Sequence, residues 1–228
     1  MAEVLITLGI IGVVAAITLP TLIKNYQKTV WVNQLKKASS TLSEGFKQMV
    51  AREGCTSLEC IGICDYTTVT GIDVSKEDVR QRFVNTFKLE NVFYNGLPTD
   101  SIYNYEVKAL SGESDGVFSN FILGNEYGLV GTTPDGMIIS FINAIFYGSL
   151  VVIDINGIKS PNTVGRDIFF FAAIDYNGNI VVAPWGLHKA LPSAPDDIEN
   201  GCLPSSNVDS GDRYCAAKIV MDGWKMNY

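Results

Sequence analysis

Histidine is almost missing: His188 is the only one in 228 residues. A Ser-His-Asp or Cys-His arrangement would have to use that single imidazole, and a two-histidine zinc helix is excluded. His188 lies in the stretch from Leu187 to Arg213, rich in Pro, Ser, Asn and Asp, where a long loop and a solvent-exposed role are expected. No S-x-x-K, P-loop or H-E-x-x-H spacing occurs. No enzymatic chemistry is expected. Positive charge is short as well, 17 Lys and Arg against 24 Asp and Glu, for a net of −7. Residues 1–37 hold one acid, Glu3, and four lysines, a net of +3, which leaves −10 on the remainder. So acidic a body is a poor surface for nucleic acid, and none is expected as a partner.

Cysteine is present in an odd number. Cys55, Cys60 and Cys64 form one group, and Cys202 and Cys215 another. The x4 and x3 spacings match no zinc pattern, so disulfides in an oxidising, extracytoplasmic compartment are expected.

What the sequence has in quantity is an uncharged run at its start. Between Glu3 and Lys24 stand twenty uncharged and mostly apolar residues, Val4 to Ile23. That is about the ~20 residues an α-helix needs to cross a hydrocarbon core. A carboxylate beside such a run costs on the order of 2.5–3.5 kcal/mol at mid-bilayer and less near an end, so Glu3 is expected to have a partner. A cleaved signal peptide is a competing reading, with Val14-Ala15-Ala16 as its cleavage site, but no Lys or Arg precedes the apolar run. A plain one-pass anchor is another. The positive-inside rule would then put Lys24 to Lys37 in the cytoplasm, against the oxidised compartment that the cysteines suggest.

The run Ala2-Glu3-Val4-Leu5-Ile6-Thr7-Leu8-Gly9-Ile10-Ile11-Gly12-Val13-Val14-Ala15-Ala16-Ile17, ending at Pro20, resembles the N-terminal segment of type IV pilins and type II secretion pseudopilins. The resemblance covers residues 2 to about 26. In that family a peptidase cuts a short basic leader before a Phe-Thr-Leu-type start and the new N-terminus is methylated. An acid four residues later is followed, 17 residues on, by a proline, and Glu3 and Pro20 have that spacing. Met1 stands where the family usually has its third mature residue, so the resemblance implies a Lys/Arg-rich leader ending in Gly-Phe-Thr upstream. It further implies that Glu3 neutralises the amine of a neighbouring subunit. Apolar half-helices would bundle at a filament centre, with Gly9, Gly12, Ala15 and Ala16 suited to close helix approach. Cys202 and Cys215 resemble in position the disulfide-bounded C-terminal region of many pilins and are expected to pair. Among the other three, Cys55–Cys64 is the favoured bridge because its longer span strains the backbone less, with Cys60 left as a buried thiol.

The helical pattern continues beyond Lys24. Tyr26, Val30, Leu35, Leu42, Phe46, Met49 and Val50 recur mostly at spacings of 3, 4 and 7, and Gly54 and Cys55 mark the end. One helix from about Ala2 to Glu53 is expected, apolar all round in its first half, amphipathic in its second, with a kink possible at Pro20. A second helix is expected from about Ser75 to Leu89, with Ser75 as cap. Strands are expected at Tyr103–Leu110, Gly116–Leu123, Gly128–Thr132, Met137–Ile142, Leu150–Ile155, Ile168–Asp175, Asn179–Ala183 and Ala216–Met221. Hairpin turns are expected at Asp135-Gly136, Asn156-Gly157 and Asn177-Gly178.

The densest polar signal runs from Asp154 to Phe169. Its plain reading is a tight turn and an ordered loop around Pro161, fixed on the sheet by Arg166 and Asp167. The alternative is a calcium loop with Asp154, Asn156, Asp167 and Asp175 supplying oxygens, although no EF-hand spacing is present.

The expected fold class is therefore α+β: a long N-terminal helix whose second half packs on an antiparallel sheet. Residues 1–24 would form the transmembrane or filament-core half-helix, and 25–228 the extracytoplasmic domain. The function implied by the resemblance is that of a pilin or pseudopilin, anchored in the bacterial inner membrane before assembly. Its partners would be other such subunits and the pilus or secretion assembly machinery. A membrane-anchored binding or adhesive domain that does not polymerise is the alternative.

Overall fold

The computed structural model describes residues 2–54, 57–64, 71–72, 76–94, 101–103, 105–114, 128–143, 149–176, 179–187, 195–204 and 212–228. The arrangement is α+β: a long N-terminal helix and a six-stranded antiparallel sheet. Helix α1 spans Ala2–Glu53 without a break in its assignment at Pro20. At ~1.5 Å per residue it is about 78 Å long. It stops at Gly54, whose φ of 66° is the left-handed conformation that commonly follows a helix and costs an L side chain more than glycine.

Only the second half of α1 is buried. Val32, Leu35, Ala38, Leu42, Gly45, Phe46 and Met49 repeat at three- and four-residue spacing and form one stripe. The stripe packs on the face of the sheet formed by Leu129, Ile139, Phe141, Val151, Ile153, Phe169, Phe171 and Ala173. The sheet is a meander in the order β3 (Glu90–Tyr94), β4 (Leu129–Thr132), β5 (Ile138–Asn143), β6 (Ser149–Asp154), β7 (Ile168–Tyr176) and β8 (Asn179–Pro184). Its central register pairs Phe141 with Val151 and Val151 with Phe171. The opposite face carries Val130, Ile138, Ile142, Val152 and Phe170, covered by Tyr103, Val107 and Val164. Both faces of the middle strands are therefore buried, which is why Phe169-Phe170-Phe171 is an unbroken apolar run instead of an alternating one.

Helix α2, Glu77–Phe87, lies against α1. The rings of Phe46, Phe83, Phe87 and Phe141 meet at centroid distances of 4.8–6.4 Å, mostly edge to face, the arrangement aromatic quadrupoles favour. Gly45 makes this approach possible. A Cβ there would stand 2.3 Å from Phe87 Cε1. In an open helix Gly→Ala would gain ~1 kcal/mol, but overpacking costs ~1–3 kcal/mol. Gly45→Ala is expected to lower the melting temperature, and a rise would mean that the Phe87 ring can turn aside freely.

Several expectations are corrected. The segment Ala216–Met221 is not a strand but most of helix α4, Cys215–Met221. Its alanine pair favours helix, and the buried Cys215, Ala216 and Ile219 follow helical spacing. The expected loop from Leu187 to Arg213 contains a short helix, α3, Pro195–Asn200. The buried Lys218 ammonium joins α3 and α4 by bonding Glu199 at 2.5 Å. The expected strand Tyr103–Leu110 is not one either at its described residues, Tyr103 and 105–110. It crosses the outer sheet face as a loop with isolated bridges at Lys108, held by Tyr103, whose hydroxyl bonds the Asn91 carbonyl (2.9 Å) and Thr132 Oγ1 (2.7 Å). Strand β3 and the two-residue pair β1 (Ile63–Cys64) and β2 (Gly71–Ile72) were not expected. Helix α2 begins at Glu77, after Lys76, which makes no side-chain cap bond. Ser75, Gly116–Leu123 and Asn177-Gly178 lie outside the described residues.

The turn at Asp135-Gly136 is as expected. Thr133 N–H donates to the Met137 carbonyl at 2.8 Å, and Gly136 has a φ of 87°. Lys37 reaches Asp135 at 2.6 Å and ties this hairpin to α1. Asn156-Gly157 is not a simple hairpin, because β6 and β7 are joined by the whole of residues 155–167.

Candidate functional site

The first site is the bare half of α1. From Val4 to Ile23 its large apolar side chains are 51–71% exposed. The eighteen-residue window of highest mean hydropathy, 2.3, has no buried share at all. Among the described residues it belongs to the one helix long and apolar enough to cross a membrane. Two of the three threonine hydroxyls in this stretch bond back into the helix, Thr7 Oγ1 to the Val4 carbonyl and Thr18 Oγ1 to the Val14 carbonyl, each at 2.9 Å. Such internal bonding leaves little polar surface to desolvate. A Cβ on Gly9 or Gly12 would meet nothing within 4 Å, so neither glycine is required by packing within this chain. Glu3 is exposed and makes no ion pair or hydrogen bond among the described residues. All four expected assembly residues, Glu3, Gly9, Gly12 and Pro20, thus lie on a helix surface that this chain does not cover.

The second site is the β6–β7 connection. Asp154 and Asp167 are both buried. Asp154 Oδ2 accepts from the Tyr105 hydroxyl at 2.8 Å, and Oδ1 from the Asn156 N–H at 3.2 Å. Asp167 accepts from two backbone donors, Asn162 N–H (2.9 Å, to Oδ2) and Thr163 N–H (2.6 Å, to Oδ1). Burial pushes the Asp167 carboxyl up to about 6 against the pull of those donors. Asp154 is raised well above the carboxylate range by burial first and by the Asp167 charge second. The Tyr105 hydroxyl is raised too, mainly by burial and then by Asp154, so it stays a donor.

The loop therefore brings together the expected calcium residues Asp154, Asn156 and Asp167, while the Asp175 side chain lies outside the described residues. Asn156 Oδ1 and Asn162 Oδ1 are buried without a hydrogen-bond partner, so oxygens are available. The carboxylates, however, face N–H and O–H donors that a cation would have to displace, and no group of three His, Cys, Asp or Glu side chains forms a metal cluster among the described residues. As arranged, the site does not fit a cation. What it does is close the loop: each carboxylate satisfies donors that β pairing leaves unpaired.

The third feature is the cysteine set. Cys202 and Cys215 are joined, with S–S 2.08 Å and Cα–Cα 4.9 Å, and clamp the segment before α4. In the chain-entropy model a loop of this size contributes roughly 3 kcal/mol. Cys202→Ser with Cys215→Ser is expected to lose about that much stability, and unreduced peptide mapping of the parent should recover the pair linked. Free thiols at both positions would contradict the bridge. Cys60 corrects a second expectation: it is disulfide-bonded and exposed, not a buried free thiol left over from a Cys55–Cys64 bridge. Cys55 and the side chain of Cys64 lie outside the described residues.

One motif escaped the sequence reading. Gly112-Glu113-Ser114-Asp115-Gly116 has the G-x-S-x-G spacing of a nucleophile elbow. An elbow needs a strand-to-helix turn, whereas Ala109 to Gly112 is a turn and Ser114 is an exposed residue bridged to Lys108. His188 and Asp115 lie outside the described residues.

Comparison with protein-family models, curated proteins and solved structures finds no match for this chain.

Proposed function

We propose that this chain is a structural subunit of a type IV pilus or type II secretion pseudopilus, held in the inner membrane by α1 before assembly. The observation that carries the reading is the division of α1. One half packs on the sheet of its own chain, and the other presents exposed apolar side chains on every side. Water cannot be the medium of that second half, since each buried CH₂ is worth ~0.8 kcal/mol. Lipid satisfies it before assembly, and the same half-helices of other subunits satisfy it afterwards. Contacts of this kind are heterologous, and because they do not close they generate an open helical filament. The Cys202–Cys215 bridge suits an extracytoplasmic location for the domain.

Deleting residues 1–24 is expected to move the protein from the membrane fraction to the soluble fraction as a monomer. The core stripe begins only at Val32, so the truncated domain should still melt cooperatively. Recovery of the full chain as a soluble monomer without detergent would contradict the reading.

A further inference from the structure

The apolar run ends at Ile23. At ~1.5 Å per residue, Val4 to Ile23 spans about 30 Å, the thickness of a hydrocarbon core, so Lys24 stands at headgroup depth. At that level the C-terminal tail, Trp224–Tyr228, folds back onto α1. The Lys28 ammonium donates to the Tyr228 carbonyl, and the Tyr228 hydroxyl donates to the Gly165 carbonyl at 2.6 Å. This strap creates a cleft of about 270 Å³ whose polar walls are Lys24 and Lys28 from α1 and Arg166 from the β6–β7 loop, with Trp31 and Tyr228 beside them. On the other side of the tail a second cleft, of about 350 Å³, adds Lys36, Trp224 and Lys225. Among the described residues, two acids near the tail are occupied. Asp222 takes Lys218 and Asn227, and Asp212 takes the Leu110 N–H.

We propose that the cleft between Lys24, Lys28 and Arg166 seats the phosphate headgroup of an anionic phospholipid in the leaflet next to the domain. Three features converge on that occupant. In a chain of net charge −7, five of the 17 cations line these two clefts beside the end of the apolar run, three from α1 together with Arg166 and Lys225. Guanidinium and ammonium groups set around one cleft are the chemistry that binds phosphate oxygens. Two of the three tryptophans, Trp31 and Trp224, flank it, and rings with a polar edge are the residues that settle at a membrane–water boundary. The cleft is the size of a small-molecule site, and Tyr228, bonded to Gly165, fixes its wall.

The inference rests on α1 spanning a membrane, and the test separates the two. The full chain in neutral detergent is examined by native mass spectrometry with added phosphatidylglycerol or phosphatidylcholine. One phosphatidylglycerol is expected to be retained ~10-fold more than phosphatidylcholine, as the loss of one charge-assisted hydrogen bond would scale. Lys24→Gln with Arg166→Gln should reduce retention to the phosphatidylcholine level. Lys24→Gln alone, on an exposed part of α1, gives the same direction without risk to the fold, and Lys47→Gln should change nothing. Equal retention of the two lipids by the parent, or unchanged retention by the Lys24 variant, overturns the proposal. So does displacement of the lipid by millimolar inorganic phosphate, which would make the cleft a site for soluble anions. Recovery of the full chain in the soluble fraction would remove the membrane premise and the proposal with it. Membrane insertion with unselective lipid retention removes the cleft's role alone.

Discussion

Glu3→Val is expected to insert into the membrane as well as the parent and to fail almost completely to enter filaments. The substitution makes the bare half of α1 more apolar, so its affinity for lipid can only rise. Assembly is different. In the proposed filament centre the carboxylate meets the amine of a neighbouring subunit in a low-dielectric bundle, and removing one partner of such a buried pair costs ~3–5 kcal/mol. At ~1.4 kcal/mol per tenfold that is at least a hundredfold in association at each contact. The comparison to make is the ratio of sheared filament protein to membrane-fraction protein for parent and variant in the same cells. Equal ratios would remove Glu3 from the assembly mechanism. Glu3→Gln separates charge from shape, and it should fail nearly as badly.

Asp167→Ala is expected to destabilise the domain more than an ordinary surface change and to do so in a pH-dependent way. It strands two buried backbone donors, Asn162 N–H and Thr163 N–H, at ~1–3 kcal/mol each. The pH dependence follows from burial, which raises the folded-state value of Asp167 to about 6 from 3.8. A raised group contributes its stability in full below its unfolded value and loses it as pH rises through the folded one. The gap between parent and variant should therefore be widest near pH 4 and narrow towards about pH 7.5, by on the order of 3 kcal/mol at most. Denaturant melts at several pH values measure it. A gap that widens with rising pH would mean that the backbone donors hold Asp167 ionised. Calcium makes a second arm of the same experiment: the donor-lined loop predicts no change in melting temperature at millimolar calcium. A rise of several degrees reversed by EDTA would place a cation among Asp154, Asn156 and Asp167.

The sequence shows α1 clearly because its periodicity persists from Val30 to Val50, and it shows β5, β6 and β7 because the apolar runs are bounded by turn residues. It misleads at Cys215–Met221, where a seven-residue segment, apolar except for Lys218, has the length of either element and only the disulfide and the packing of Ile219 decide it. It is silent on β3, whose Glu90-Asn91-Val92-Phe93-Tyr94 carries no clean alternation and includes Asn91 at a φ of 48°. The Asp154–Asp167 loop is visible as a polar cluster, but its role is not. The identity of a carboxylate's partners, N–H groups or a metal, depends on backbone geometry that composition does not encode. The basic cleft is least legible. Lys24, Arg166 and Tyr228 lie far apart in the chain, and they meet only because the tail straps back onto α1. The bare half of α1 is the reverse case, since its all-round apolarity can be read directly from Val4 to Ile23.

Photo-crosslinking in the natural host tests the central claim, that the bare half of α1 is a subunit–subunit surface. A photoreactive amino acid is placed at Ile11, in the exposed apolar stretch, and in a second strain at Lys47, on the exposed side of the packed half. Irradiation of cells making filaments should give a ladder of dimers, trimers and larger species from position 11 and none from position 47. Monomer alone from position 11, with the protein in the membrane fraction, would contradict the account and leave α1 as an anchor that does not polymerise.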